Sequence, residues 1–127
     1  MMPTELARSS YVSLVTYRRD GTAAATPVWA APDGEELLVW TREDSYKVKR
    51  LRRDDRATAT VCDVRGRIPE DARPVEGRGR LLETSEELDR VRMALARKYG
   101  WRFRLVEGGG ALLRRGKRPH VGVALRF

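Results

Sequence analysis

The stretch YVSLVTYRRDGTAAATPV, residues 11–28, decides the fold. Its first seven residues are mostly β-branched or aromatic, a composition typical of a pleated and partly buried strand. Asp20-Gly21 then supplies a tight turn, so residues 22–31 are expected to fold back as the second strand of a hairpin. A second turn at 32–34 leads into the apolar run at 37–41. Together the three runs predict an antiparallel meander.

Further along the chain, short helical and extended patterns alternate. The pair DS at 44–45 can cap a short helix that ends at residue 53. Residues 57–63 and 75–82 predict two further strands. Gly77 and Gly79 fall on one face of the second of these strands, which indicates a tight bend or a close approach of another part of the backbone.

The clearest helix signal begins at Thr84. With Glu87 three residues later it forms a capping box, and Gly100 is a stop signal. Glu86 and Arg90 are spaced to pair on the outer face. The expected buried stripe is Leu88, Val91, Leu95 and Tyr99.

The two ends of the chain complete the pattern. Residues 3–8 favour a short helix, alternation resumes at 101–105, and residues 121–127 predict a last strand. About six strands with a helix before the last one predict a small antiparallel β-barrel. At 127 residues the chain has room for one domain, 1–127, and one core.

Composition excludes several classes of protein. With 41% hydrophobic and 35% charged residues, no apolar run long enough for a membrane helix and no signal-peptide pattern, we expect a cytoplasmic protein without a membrane partner. Cys62 is the one cysteine and His120 the one histidine. An internal disulfide and a cysteine-based zinc cluster are therefore excluded, and transition-metal sites and a Ser-His-Asp triad lose most of their candidates. Both residues are expected to be structural.

The net charge of +8 raises the question of nucleic-acid binding. The basic residues are spread along the chain, interleaved with acids, and all but four are arginine. This distribution argues against a polyanion groove and favours small anionic ligands.

Two of the four lysines, Lys47 and Lys49, stand in the first turn of the predicted helix at 45–53. Cations there are unfavourable because the first turn carries unpaired N–H groups and the positive end of the helix dipole. A bound anion, held by these groups, Ser45 and Lys47, offsets that cost. A solvated helix face is the alternative, and we favour it for Arg52 and Arg53.

The second strand is unusual because small residues at 22–26 precede Pro27. A strand with little bulk and an interrupted ladder leaves backbone polar groups available to a flat ligand. The alternative is an ordinary edge strand on which proline blocks aggregation. This segment alone does not decide between the two.

Taken in order, these motifs resemble the flavin- and deazaflavin-binding split β-barrel proteins related to pyridoxamine 5'-phosphate oxidase. The likeness runs from residue 8 to 127. The motifs are YVSLVTYRR at 11–19, DG at 20–21, TPVW at 26–29, VWT at 39–41, SYKVKRLRR at 45–53 and VEGR at 75–78. More narrowly, KVKRLRRD at 47–54 and KYGW at 98–101 resemble the actinobacterial coenzyme F420-dependent oxidoreductases.

The resemblance implies a split barrel of six to seven antiparallel strands with two or three short helices. It also implies a homodimer with two cofactor sites at the subunit interface, and coenzyme F420, or alternatively FMN, as the cofactor. The implied phosphate ligand is Lys47, assisted by Ser45 and Thr41, with Lys49 and Arg50 near the phosphate or the acidic tail of F420. The backbone of Thr26, Pro27 and Val28 is expected to face the ring. Trp101 and Phe103 are expected to reach the partner's ring, with plain interface packing as the alternative for Trp101.

What the resemblance implies for function is an F420H2-dependent reductase that transfers a hydride from C5 of the deazaflavin to an electron-poor acceptor. The C-terminal segment with which pyridoxamine 5'-phosphate oxidases bind their substrate's phosphate has no counterpart here, so we do not expect that reaction. An FMN-binding oxidoreductase and a non-catalytic F420 carrier are the alternatives. No residue is identified as catalytic; Tyr46 and water are candidate proton donors.

Overall fold

The computed structural model describes residues 2–103 and 120–127. Seven strands form one antiparallel sheet in the order β2-β1-β5-β6-β7-β4-β3. The strands are β1 Tyr11–Tyr17, β2 Ala23–Val28, β3 Ala30–Asp33, β4 Glu36–Arg42, β5 Arg56–Cys62, β6 Val75–Leu82 and β7 His120–Arg126, and the helices are α1 Thr4–Arg8, α2 Tyr46–Arg53 and α3 Ser85–Tyr99. The expected fold class, a mainly β antiparallel split barrel with short helices, is confirmed.

The inner face of the curled sheet encloses the first of two apolar clusters. Val12, Leu14, Val39, Val123 and Leu125 are fully buried in it. Leu6 of α1 and Leu51 of α2 complete the cluster. Each of these two short helices therefore anchors itself with a leucine in the barrel interior.

The second cluster lies on the other side of the sheet, under α3. Val91 and Leu95 of this helix pack against Leu38 of β4 and Ala124 of β7. The capping box at Thr84 is confirmed, because its side chain accepts a hydrogen bond from the Glu87 N–H and the Glu87 carboxylate accepts one from the Thr84 N–H. One face of the sheet is thus covered by a helix that begins where the sequence indicated.

The expected close approach at the glycines of β6 is confirmed. A Cβ on Gly77 would collide with the Arg126 carbonyl oxygen of β7, and one on Gly79 would lie 3.0 Å from Leu51 Cδ2. Glycine at position 79 therefore lets α2 lie close to the sheet.

Long-range pairing differs from the expected meander. The single strand expected at 22–31 is two strands, since β2 pairs with β1 while β3 pairs with β4, and only Trp29 separates them. The run at 37–41 lies in β4, whose partners are β3 and β7 rather than β2. β2 and β3 consequently form the two opposite edges of the sheet.

Two smaller expectations are also wrong. Arg90 pairs with Asp33 and Glu36 of the β3–β4 hairpin instead of with Glu86, because tertiary carboxylates lie within its reach. Residues 101–103 are helical rather than extended. The remainder of the alternating stretch, residues 104 and 105, lies outside the described residues. None of the described helices is long and apolar enough to cross a membrane.

Candidate functional site

The candidate site is built around the start of α2. Ser45 is the N-cap residue, but its side chain makes no capping hydrogen bond, so the expected capping role is wrong. Its hydroxyl lies 3.4 Å from that of Thr41, at the end of β4. The first turn also contains no acidic residue. The N–H groups of this turn are therefore not satisfied by a side chain of the helix cap, which leaves them available to an anion.

Lys47 is half-buried in this first turn. Within residues 2–103 and 120–127 it has no hydrogen bond and no acidic partner. Burial lowers the pKa of its ammonium group, and the neighbouring cations Arg50 and Arg42 lower that pKa further. Arg42 is itself paired with Asp44 at 3.2 Å, so the unpaired repulsion comes from Arg50. A partly desolvated ammonium beside this cation is unfavourable, and a bound anion would relieve it.

Arg50, one turn further along α2, is held against the sheet. Its Nε donates to the hydroxyl of Thr16, a fully buried residue of β1, over 2.7 Å. Burial lowers the pKa of Arg50, and the positive charges of Arg18 and Arg53 lower it further. The guanidinium is thus fixed in position while the charges nearest to it are repulsive.

The β1–β2 turn contributes further positive charge. Arg18 donates to the Ala23 carbonyl oxygen over 2.9 Å, and Arg53 donates to the Tyr17 carbonyl oxygen over 2.6 Å. We call Arg18, Lys47, Arg50 and Arg53 the cationic corner. Arg53, which the sequence assigned to a solvated face, belongs to this group.

Elsewhere on the molecule, arginines are neutralised by acids. Arg52, on the same helix, pairs with Glu83 at 2.8 Å. Further pairs are Arg78–Asp55, Arg80–Glu36, Arg56–Asp54 and Arg67–Asp63. In the part of the chain that the structure describes, no member of the cationic corner has a carboxylate within 4.0 Å. The corner therefore lacks a paired carboxylate, and its acids act from a greater distance. Hydrogen bonds from Thr22 lower the pKa of Asp20 and the charge of Arg18 lowers it further, while hydrogen bonds from Arg56 lower the pKa of Asp54 and the charge of Arg53 lowers it further.

The structure does not bring Lys49 into the corner. Its side chain is exposed, and its Nζ lies 5.2 Å from the centre of the Tyr46 ring. Tyr46 itself is 72% exposed. Two lysines two residues apart point to different sides of a helix, which explains why Lys47 and Lys49 diverge.

The edge strand β2 lies beside the corner. Its turn is a three-residue hairpin loop in which Gly21 has φ +86° and the Arg18 N–H bonds to the Thr22 carbonyl oxygen. The Arg18–Thr22 pair is hydrogen-bonded, and hydrogen-bonded and non-hydrogen-bonded pairs alternate along an antiparallel ladder. The backbone N–H and C=O groups of Thr26 and Val28 therefore point toward β1. The backbone of Ala25 and the carbonyl of Pro27 face the free edge. Of the three residues whose backbone was expected at the ring, only Pro27 therefore has a backbone group at this edge, because the ladder with β1 uses those of Thr26 and Val28. Pro27 therefore sits where its missing N–H costs no ladder bond, and Ala25 is an edge residue that sequence reasoning missed.

Thr26 is distinctive for another reason. Its hydroxyl oxygen is buried and has no hydrogen-bond partner among the described residues. It shares a face of the sheet with Leu14, its partner across the ladder. Leaving a buried hydroxyl unpaired costs about 1–3 kcal/mol, so this atom is a candidate contact for a polar ligand.

The aromatic residues divide into packed and exposed ones. Trp29 stacks on Tyr99 with ring centres 4.5 Å apart, and Trp40 stacks on His120 at 5.0 Å, so both tryptophans pack within the chain. Phe103 is also buried, in edge contact with Trp40, so its expected role at a partner's ring is wrong. Trp101 is 71% exposed.

Metal chemistry finds no support among residues 2–103 and 120–127, where no group of three or more His, Cys, Asp or Glu side chains gathers. Cys62 is buried, and burial raises the pKa of its thiol. The groups that the site offers to a ligand are therefore cations, hydroxyls and the unpaired backbone groups of an edge strand.

The sequence pattern of pyridoxamine 5'-phosphate oxidase matches residues 2–124, nearly the whole chain. The chain belongs to this family. Membership explains the split barrel described above, in which α2 packs against β1 and β6. No curated protein matches the chain in sequence.

Solved structures of the same fold come from proteins of several kinds. A conserved hypothetical protein from Mycobacterium tuberculosis has a TM-score of 0.69 and 26% identity, over 98% of this chain and 79% of the other. An F420 reductase has a TM-score of 0.59 and 21% identity, over 97% of this chain and 90% of the other. The heme storage protein HutZ from Vibrio cholerae has a TM-score of 0.67 and 12% identity, over 92% of this chain and 80% of the other. The last two likenesses concern the fold alone.

Proposed function

We propose that this member of the family binds a phosphorylated flavin or deazaflavin at the cationic corner and acts as an F420H2-dependent reductase. The observation that carries the proposal is Lys47, a half-buried ammonium whose near neighbours Arg50 and Arg42 are also cations. A phosphate group supplies the negative charge that this position lacks.

The residues present fit such a cofactor. Lys47, with the hydroxyls of Ser45 and Thr41, holds the phosphate at the start of α2. The buried, unpaired hydroxyl of Thr26 provides a hydrogen-bonding group for the polar edge of the ring. The free backbone edge at Ala25 and Pro27 adds further donors and acceptors. These groups bind and orient the cofactor without needing a change in the sheet.

When bound, reduced F420 supplies a hydride from C5 to a small electron-poor organic acceptor. The chain's own contribution is orientation and an electrostatic environment suited to an anion. Such a reaction can proceed with few titratable side chains in the site. Tyr46, whose ring is exposed and lies near Lys49 rather than in the cationic corner, and water are the candidate proton donors.

Charge favours F420 over FMN in this proposal. Arg18, Arg50 and Arg53 add three cations to Lys47, more than a single phosphate requires. The acidic tail of F420 matches that surplus. FMN is the second candidate, because one structure of the same fold is a FAD-binding protein from Mesorhizobium loti. Lys49 contributes only long-range attraction to either ligand.

We further propose that the protein is a homodimer with the cofactor at the subunit interface. An indole that is 71% exposed, Trp101, is available for a contact with a second copy. The proposal requires a mass of two chains in solution and one cofactor for each chain.

Fluorescence titration of F420 and FMN tests the binding proposal. Loss of a hydrogen bond to a charged group costs about 1.5–3 kcal/mol, so Lys47→Ala is expected to weaken F420 binding roughly 10- to 150-fold. Arg52→Ala is the matched control, since it removes one cation from the same helix but one that is already paired with Glu83. An unchanged Kd for Lys47→Ala would remove Lys47 from the site.

A turnover assay distinguishes a reductase from a carrier. Oxidation of F420H2 is followed by absorbance with quinones, bilins and nitroaromatic compounds as acceptors. Acceptor-dependent oxidation is the expected result. Tight F420 binding without oxidation by any acceptor supports a carrier, and a yellow protein with flavin absorbance supports FMN.

A further inference from the structure

The junction between β2 and β3 has an unusual place in the fold. These strands are the two edges of the sheet, and yet they are consecutive in the chain, with Trp29 alone between them. We call Trp29 and Ala30 the seam. Since β2 pairs with β1 and β3 with β4, no ladder joins the two edges here.

Side chains from the end of α3 hold the seam. The phenol oxygen of Tyr99 accepts a hydrogen bond from the Ala30 N–H over 3.0 Å and lies 2.8 Å from the Ser10 carbonyl oxygen, to which it donates. The ammonium group of Lys98 donates to the Ala30 carbonyl oxygen over 2.5 Å and to the Ser9 carbonyl oxygen over 2.6 Å. Both polar backbone groups of Ala30 are thus bound by side chains.

The hydrogen bonds to Ala30 matter for stability because the groups that make them are buried. Ala30 has no exposed surface, and Tyr99 is 4% exposed. The Tyr99 ring also stacks on Trp29 with an interplanar angle of 10°. A buried backbone group that loses its partner is costly, so the seam depends on Lys98 and Tyr99 for its conformation.

We propose that Lys98 and Tyr99 are positioning residues for the cofactor site, and this proposal rests on the proposed function. The seam begins directly after Val28, and Pro27 and Ala25 at the free edge of β2 are the groups that would meet the ring. Fixing Ala30 therefore fixes the end of the strand on which the ring lies. The pair acts through backbone atoms and does not touch the cofactor itself.

Two variants separate this positioning role from ordinary stability. Tyr99→Phe keeps the stack on Trp29 and removes only the hydroxyl, and Lys98→Met removes only the ammonium group. Lys98→Arg is the conservative variant, because it restores charged donors for the two carbonyl oxygens. Thr84→Ala is the matched control, since it destabilises the same helix at its other end.

The measurements are amide hydrogen exchange in the protein without cofactor and the Kd for FMN and F420. We expect faster exchange at Ala30 in Tyr99→Phe and Lys98→Met. We also expect a Kd raised at least about fivefold, because a site held loosely binds worse. Thr84→Ala should leave the Kd within about twofold and speed exchange at Ala30 by no more than about fivefold, the effect of a lost cap on global unfolding. Lys98→Arg should restore much of the affinity.

Each outcome decides a separate point. Wild-type affinity in Tyr99→Phe and Lys98→Met, with faster exchange at Ala30, would overturn the positioning role and leave the proposed function intact. An affinity loss of the same size in Thr84→Ala would overturn it as well. Failure of the wild-type protein to bind either cofactor would overturn the proposed function and the positioning role with it.

Discussion

The substitution Gly122→Ala tests how closely α3 packs on the sheet. A Cβ at position 122 of β7 would lie 2.7 Å from Val91 Cγ2 and 3.2 Å from Leu82 Cβ. Non-bonded carbon atoms pack at about 3.5–4.0 Å, so both contacts are overlaps. Valine in a helix has essentially one χ1 rotamer, and a Cβ moves only with its backbone, so neither neighbour can turn aside. We therefore expect α3 to be displaced at a cost of about 1–3 kcal/mol.

Urea unfolding of a double-mutant cycle measures this overlap. Val91→Ala removes the offending methyl group, so the double variant Gly122→Ala/Val91→Ala should be more stable than the sum of the single effects by about 1 kcal/mol or more. Gly122→Ala combined with Asp20→Ala, in the β1–β2 turn that no ladder joins to β7, should be additive within about 0.5 kcal/mol. Additivity of Gly122→Ala and Val91→Ala would refute the packing described here.

Two further predictions concern stability. Burial lowers the pKa of Lys98 to about 8 and raises the pKa of Tyr99 to about 12. Between pH 8 and 10 Lys98 is protonated in the unfolded chain but not in the folded one, so the urea midpoint should rise with pH. Above pH 10 Tyr99 stays protonated in the folded chain but not in the unfolded one, so the urea midpoint should fall with pH. A midpoint for Lys98→Met that rises as in the wild type would contradict the first part. Thr84→Ala should lower the unfolding free energy by about 1 kcal/mol through loss of the capping box, with Ser85→Ala as a nearly neutral control, and a loss no larger than that of Ser85→Ala would count against the cap.

Local signals in the sequence were enough for several elements. The Asp20-Gly21 turn, the strand at 75–82 and the capped helix from Thr84 lie where neighbouring residues indicated. In each case the chemistry that sets the element is contained within a few residues. A hairpin turn needs a positive φ, which Gly21 supplies, and a capping box needs two residues three apart.

Strand order could not be obtained in this way. That β2 and β3 form opposite edges depends on pairing between segments far apart in sequence, such as Val39 with Val123 and Val12 with Val61. The residues of a strand specify which face is apolar, but they do not name the partner strand. The partners of Arg90 were missed for the same reason.

The candidate site shows the same division. Lys47 and Ser45 stand out because charge at a helix start is a local property. Arg18 and Thr16 join the site only because α2 returns across the end of β1, which places Arg50 within 2.7 Å of Thr16. The orphaned hydroxyl of Thr26 likewise depends on tertiary burial and has no signal in the sequence.

The central claim is that the cationic corner holds the phosphate of a flavin or deazaflavin. A crystal structure of the protein with F420 or FMN tests it most directly. The account predicts a phosphate oxygen within about 3 Å of Lys47 Nζ, with the ring along the free edge of β2. A cofactor phosphate bound elsewhere, or a Lys47 ammonium engaged by one of the protein's own carboxylates, would contradict it.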